Sequence, residues 1–111
     1  MGRPHYKVRL TQGAEDDLER LNDYLVEHRG VDAAEALLAG LLAAADTLNH
    51  FPERGGVPKE LDRLGIRTFR QIIHSPYRIL YRIIGGEVFV MLIADGRRDM
   101  QALLERRLLG G

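Results

Sequence analysis

Arginine is the residue type in this sequence that is best placed to do chemistry. The stretch between Ile66 and Gly86 has no acidic residue, and it contains five basic ones: Arg67, Arg70, His74, Arg78 and Arg82. A guanidinium group is planar, permanently charged and forked, which suits it to carboxylate and phosphate groups. The run therefore predicts a binding surface for an anionic partner. The alternative is that each arginine is a solvated residue on the outer face of a sheet, paired with an acid elsewhere in the chain.

The spacing of these residues predicts how they group. Arg78 and Arg82 are four positions apart, as are Arg70 and His74, so each pair shares one face of its own strand. If the two faces coincide, the four groups converge on one patch of sheet. The residue types present would then bind charge, because arginine is a poor general base and His74 is the only other basic residue type in the group.

Two further arginines follow the last predicted strand. Arg97 and Arg98 come directly after Asp95 and Gly96, where a loop opens into a helix. Two adjacent guanidinium groups could extend the basic patch, or they could support the loop by pairing with Asp95 and Asp99.

The composition excludes several other kinds of site. The chain has no cysteine, which removes thiol nucleophiles, zinc ribbons, iron–sulfur clusters and disulfides. Its one serine, Ser75, lacks the context of a hydrolase nucleophile. The four histidines lack metal-ligand spacing, so we expect neither a metal nor another cofactor. Residues 1–53 have 5 basic and 10 acidic side chains, whereas residues 54–111 have 11 and 6. We therefore expect an anionic partner to dock on the C-terminal half.

Length and hydropathy predict one compact domain over residues 1–111. With 111 residues and 45% hydrophobic content, the chain can bury one core without a cross-link. The longest apolar run, Ala36 to Ala45, is too short to span a membrane, and no signal-peptide pattern opens the sequence. We expect a soluble, cytoplasmic protein.

Hydrophobic periodicity predicts an α+β fold. A short strand at 6–10 precedes two antiparallel helices that form a helical hairpin. The first is capped by Thr11 and ends at Gly30, and the second extends from about 32 to 50. Three strands follow at 66–74, 77–84 and 87–94, joined by turns short enough for an antiparallel meander, and a helix at 97–109 ends the chain. With the first strand beside the last, the sheet has four strands and the hairpin packs on one face. The last strand is apolar on both faces and should be central.

The second helix is apolar nearly all round. Its four central leucines are Leu37, Leu38, Leu41 and Leu42. They could all lie in the internal core, or they could form an exposed groove that binds a partner segment.

Several short strings in this order resemble the RelE/ParE superfamily of type II toxins. They are YKVRLT at 6–11, Ala14 with Asp17-Leu18, FPERG at 51–55, Tyr77-Arg78-Ile79 with Tyr81, and GRRD at 96–99. The resemblance covers nearly the whole chain and is closest to the ParE-like members.

The resemblance implies one of two activities. RelE-like members are ribosome-dependent mRNA endonucleases, in which lysines, arginines and a C-terminal tyrosine promote attack of a ribose 2′-OH on the adjacent phosphate. ParE-like members lack that set, and the resemblance implies that they poison DNA gyrase. Arg78 and Arg98 match the RelE-like arginines. However, residues 66–74 contain no lysine and residues 100–109 no tyrosine, so His74 is the only nearby substitute for the missing proton-transfer groups.

These departures favour a ParE-like toxin that binds rather than cleaves. The resemblance further implies a role in plasmid stabilisation, neutralisation by a ParD-like antitoxin in a hetero-oligomer, and no sequence-specific binding of nucleic acid. The antitoxin segment would lie on the leucines of the second helix. The alternatives are the RelE-like mRNA endonuclease and a toxin-derived fold kept only as the partner of a DNA-bound repressor.

Overall fold

The computed structural model describes residues 5–110 as a four-stranded sheet with helices on both faces. The strands are β1 (Lys7–Leu10), β2 (Phe69–His74), β3 (Tyr77–Ile84) and β4 (Glu87–Asp95), and the helices are α1 (Gln12–Arg29), α2 (Val31–Asp46), α3 (Lys59–Asp62) and α4 (Met100–Leu108). The strand order is β1-β4-β3-β2, with β1 parallel to β4 and the other pairs antiparallel. The predicted α+β class, the meander and the interior position of β4 are confirmed.

The helical hairpin begins and ends near the predicted residues. The Thr11 hydroxyl caps α1 by accepting a hydrogen bond from the Ala14 N–H. One residue, Gly30, joins α1 to α2 with φ of +92°, a conformation that side chains with a Cβ rarely adopt. Helix α2 ends at Asp46, earlier than predicted, and a 3₁₀ turn at Thr47–Asn49 continues it.

Each face of the sheet has its own hydrophobic cluster. Leu18, Leu41 and Leu48 pack from the hairpin side against Ile79 and Val88. The opposite cluster combines residues of α3 and α4 with the other faces of β2, β3 and β4: Leu61, Phe69, Leu80, Leu92, Met100, Leu103 and Leu104. The sheet is therefore the middle of three layers, which explains why β4 is apolar on both faces.

A β-bulge in β4 changes which residues face the hairpin. Leu80 pairs with Leu92, but the next residue, Tyr81, pairs with Val90, so Met91 is an extra residue. As a result Val90 packs in the hairpin cluster and Leu92 in the opposite one, although two positions separate them. Simple alternation along the sequence cannot predict this change of face.

Adjacent leucines of α2 should respond differently to truncation. Leu41 is fully buried and Leu42 is 44% exposed. We expect Leu41→Ala to lower the free energy of unfolding by about 2–5 kcal/mol, because it leaves a cavity in the hairpin cluster. Leu42→Ala should change it by less than about 0.5 kcal/mol. Urea denaturation of both variants measures the difference, and equal losses would contradict this placement of α2.

Candidate functional site

The strand register places the predicted basic patch on two opposite faces. Arg70 pairs with Tyr81 and His74 with Tyr77, and directly opposed residues of an antiparallel pair share a face. Because side chains alternate along β3, Arg78 and Arg82 point to the other face. The expectation that these four groups converge is therefore wrong: Arg70 and His74 lie on the hairpin face, and Arg78 and Arg82 on the face covered by α3 and α4.

Arg78 is a buried structural residue. Both of its terminal nitrogens donate to the two carboxylate oxygens of Glu60 at 2.8 Å, and its Nε donates to the amide oxygen of Gln71 at 2.6 Å. Arg78 is 9% and Glu60 5% exposed. Hydrogen bonding to this guanidinium lowers the pKa of Glu60 to about 2, against the opposing effect of burial. Because Glu60 occupies both terminal nitrogens and the guanidinium is covered, Arg78 is not available to an external anion in this structure.

Two arginines of this run form ion pairs with acidic residues that precede the run in the sequence. Glu60 pairs with Arg78, and Asp62 pairs with Arg67. Both acids belong to α3, which packs against the strands. The absence of acids between Ile66 and Gly86 therefore does not mean that these arginines are unpaired. Acidic residues from another part of the chain pair with them in the tertiary structure.

The remaining strand residues contact their own chain. Arg70 donates to the carbonyl oxygens of Glu53 and Gly55. His74 packs beside α2, where its Nε2 lies 3.0 Å from the position of a Cβ added at Gly40. The Arg82 guanidinium lies 5.6 Å from the centre of the Phe69 ring. The structure does not bring these three residues together with the loop arginines.

Arg97 and Arg98 line a cleft between α1 and the carboxyl end of β4. We call it the α1 cleft, with a volume of about 650 Å³ and thirteen lining residues: Asp17, Arg20, Leu21, Tyr24, Leu25, His28, Arg29, Tyr77, Ile93, Ala94, Asp95, Arg97 and Arg98. Asp95 accepts hydrogen bonds from the Arg97 side chain. These bonds lower the pKa of Asp95 and cancel the charge of Arg97 locally. Arg98 forms no ion pair or side-chain hydrogen bond within residues 5–110.

Four residues of this cleft were missed by the sequence reasoning: Arg20, Tyr24, His28 and Arg29. The rings of Tyr24 and His28 stack with centroids 4.1 Å apart and planes inclined by 24°. His28 Nδ1 donates to the Tyr24 carbonyl oxygen. Two aromatic residues four positions apart on a predicted helix are the signal that could have indicated this pair.

Asp17 lies near the start of α1, and its side chain is buried rather than solvated. Its side chain is 8% exposed, and it accepts hydrogen bonds from both terminal nitrogens of Arg107 and from the Ile93 N–H. Arg20 donates to the same carboxylate. Asp17 therefore ties α1 to β4 and α4, and its negative charge is compensated within the chain.

The four leucines of α2 divide between the core and the surface. Leu41 is fully buried, and Leu37 and Leu38 are partly buried against the hairpin cluster. Leu41 is therefore removed from the predicted groove. Leu42 is exposed and lines two shallow troughs, one with Leu38 and Asn22 and the other with Val8 and Leu10 of β1. We call the exposed residues of this side the α2 face: Ala36, Ala39, Leu42 and Ala43.

The described part of the chain offers no cluster of three His, Asp or Glu side chains that could hold a metal ion. Across residues 5–110, no helix combines the length and hydropathy needed to cross a membrane.

Comparison with known proteins identifies the family. The model of the ParE toxin of the type II toxin–antitoxin system parDE matches residues 8–100. Toxin ParE3 of Caulobacter vibrioides is 33% identical over 101 residues, covering 91% of this chain and 97% of that protein. Toxin RelE2 of the same organism is 32% identical over 83 residues, covering 74% and 85%.

Solved structures show the same fold. A chain of the chromosomal ParDE toxin–antitoxin system from P. aeruginosa superposes with a TM-score of 0.69 at 20% identity, covering 82% of this chain and 96% of that one. The molecule is thus an α+β protein of the kind found in RelE and ParE toxins. The chain belongs to the ParE toxin family of type II toxin–antitoxin systems.

The Glu60–Arg78 pair should make stability fall in acid. The pKa of Glu60 is lowered from 4.5 to about 2, so the unfolded chain binds this proton more readily than the folded one. The pair contributes on the order of 3 kcal/mol to the free energy of unfolding. This contribution is complete above about pH 5 and is lost as the pH falls towards 2. Denaturant titrations between pH 7 and 3 should show a shallower decline for Glu60→Gln than for the wild type.

The matched control for this experiment is Glu53→Gln, which neutralises an exposed carboxyl group. It should keep the wild-type pH dependence. Parallel pH profiles for the wild type and Glu60→Gln would contradict the assigned role of the pair.

Proposed function

We propose that this chain inhibits DNA gyrase by binding it, and that it does not cleave RNA. The observation that carries the proposal is the engagement of Arg78 by Glu60 through both terminal nitrogens. By the resemblance, Arg78 holds the position of a RelE-like catalytic arginine. A nuclease needs that guanidinium group to be open to the scissile phosphate. Here the Glu60 carboxylate of the same chain occupies the guanidinium instead of a phosphate.

The proton-transfer groups of the RelE-like mechanism are also missing from the sequence. Residues 66–74 contain no lysine and residues 100–109 contain no tyrosine. The one substitute that the sequence suggested, His74, lies on the hairpin face of the sheet, opposite to Arg78. An acid–base step between these two residues has no geometric basis, because the sheet separates them.

Among the arginines predicted to bind a target, Arg98 keeps a charge that is available to a macromolecular partner. It is exposed, it lacks an ion pair within residues 5–110, and it lines the α1 cleft. We infer that Arg98 contacts an acidic surface of the target. The similarity to Toxin RelE2 favours a second candidate, ribosome-dependent cleavage of mRNA.

Two reactions with purified protein separate these candidates. We expect the wild type to inhibit gyrase supercoiling and to leave mRNA intact on translating ribosomes. Arg98→Glu should weaken supercoiling inhibition roughly tenfold, because reversing an interface charge replaces attraction by repulsion. The control Arg63→Glu reverses another exposed arginine and should inhibit as the wild type does. Cleaved mRNA together with unaffected supercoiling would favour the RelE-like candidate.

We further propose that a ParD-like antitoxin covers the α2 face. This face presents a continuous strip of alanines around Leu42, flanked by the acidic side chains of Asp32, Glu35 and Asp46. An amphipathic segment with apolar residues and flanking basic ones fits that chemistry. Leu42 is the large apolar side chain of the strip and lines both troughs, so it is the expected anchor.

The antitoxin surface can be tested by co-purification with the product of the reading frame upstream of the gene. We expect the wild type to form a complex and Leu42→Glu to bind at least tenfold more weakly, roughly the loss that follows when an interface anchor is removed. Leu64→Glu is the matched control, because Leu64 is 49% exposed but lies just after α3. Equal binding by both variants would exclude the α2 face.

A further inference from the structure

We propose that the α1 cleft binds a nucleoside phosphate, with the base on the Tyr24–His28 ring pair and the phosphate at Arg98 and Arg29. The ligand could be a free nucleotide or one nucleotide of a single strand, since both present the same chemistry. The inference does not depend on gyrase as the target, because it concerns binding to the isolated chain.

The aromatic pair forms a platform for a base. Tyr24 stacks on His28 at 4.1 Å and is still 58% exposed. The hydrogen bond from His28 Nδ1 to the Tyr24 carbonyl oxygen, at 2.8 Å, fixes the orientation of the His28 ring. Planar bases stack on such rings without regard to sequence, and little ordering is needed on binding because the two rings are already stacked on each other.

The charges of the cleft leave two guanidinium groups available. Four arginines and two aspartates line it. Asp17 is held by Arg107 and Arg20, and Asp95 by Arg97. Arg29 and Arg98 have no ion pair within residues 5–110, and they belong to different elements on the two sides of the cleft. Two forked cations facing one cavity suit a phosphate group.

The volume and the lining of the cleft favour a small ligand unit over a flat protein contact. Its volume of about 650 Å³ falls within the range of small-molecule sites. Leu25, Tyr77 and Ile93 are buried and contribute the apolar part of its lining. An acidic peptide would use the guanidinium groups but would leave the aromatic platform uncovered, so the platform selects a ligand with a planar ring.

The test is a calorimetric titration of the full chain with AMP, adenosine, inorganic phosphate and a 5′-phosphorylated single-stranded oligonucleotide. We expect AMP to bind at least several-fold more tightly than adenosine or phosphate alone, because only AMP engages both parts of the cleft. Tyr24→Ala should weaken AMP binding roughly fivefold or more, whereas Tyr24→Phe should bind as the wild type does. Arg98→Glu should weaken it roughly tenfold, and Arg63→Glu should not.

Tighter binding of the oligonucleotide than of AMP would identify a nucleic acid strand as the source of the ligand, and the reverse would identify a free nucleotide. The proposal is overturned if neither ligand binds saturably, or if Tyr24→Ala and Arg98→Glu bind as the wild type does. It is also overturned if polyglutamate binds as tightly as AMP and depends on Arg98 but not on Tyr24. Thermal melting of each variant verifies that the fold is retained.

Discussion

The positions of α3 and of the loop that carries Arg97 and Arg98 depend on the buried ion pair between Arg78 and Glu60. A guanidinium group removed from water is tolerated only when its donors are satisfied, and here Glu60 and Gln71 satisfy three of them. The pair fixes α3 against β3 and joins both to β2. Removing either partner would leave an uncompensated charge in the interior, which is more costly than the net stabilisation that the pair provides.

The same side chain sets the position of the loop that carries Arg97 and Arg98. A Cβ added at Gly96 would lie 2.9 Å from Arg78 Cδ, so only glycine allows the loop to pass this closely. The Gly96 N–H donates to the Pro76 carbonyl oxygen and closes the contact. Arg78 therefore acts on the α1 cleft indirectly: it positions the neighbouring loop, and Arg98 presents the charge.

Helix α1 separates two surfaces of opposite character. On one side Asn22 borders the α2 face, which is apolar with acidic flanks. On the other side Tyr24 and Arg29 line the cationic, aromatic α1 cleft. A protein that is neutral in total charge thus presents two surfaces of different charge and polarity. The two surfaces share no lining residue.

Local patterns determined the elements of this protein. Periodic leucines, the Thr11 cap and Gly30 define the hairpin, and alternating residues between short turns define the meander, because these signals arise from backbone geometry within a few residues. The tertiary structure alone decided which charges are free. Glu60 pairs with Arg78 across 18 residues of sequence, and Arg107 pairs with Asp17 across 90 residues. The strand register places Arg70 and Arg78 on opposite faces of the sheet. Side-chain pairing over such distances depends on packing between elements, which no local spacing specifies.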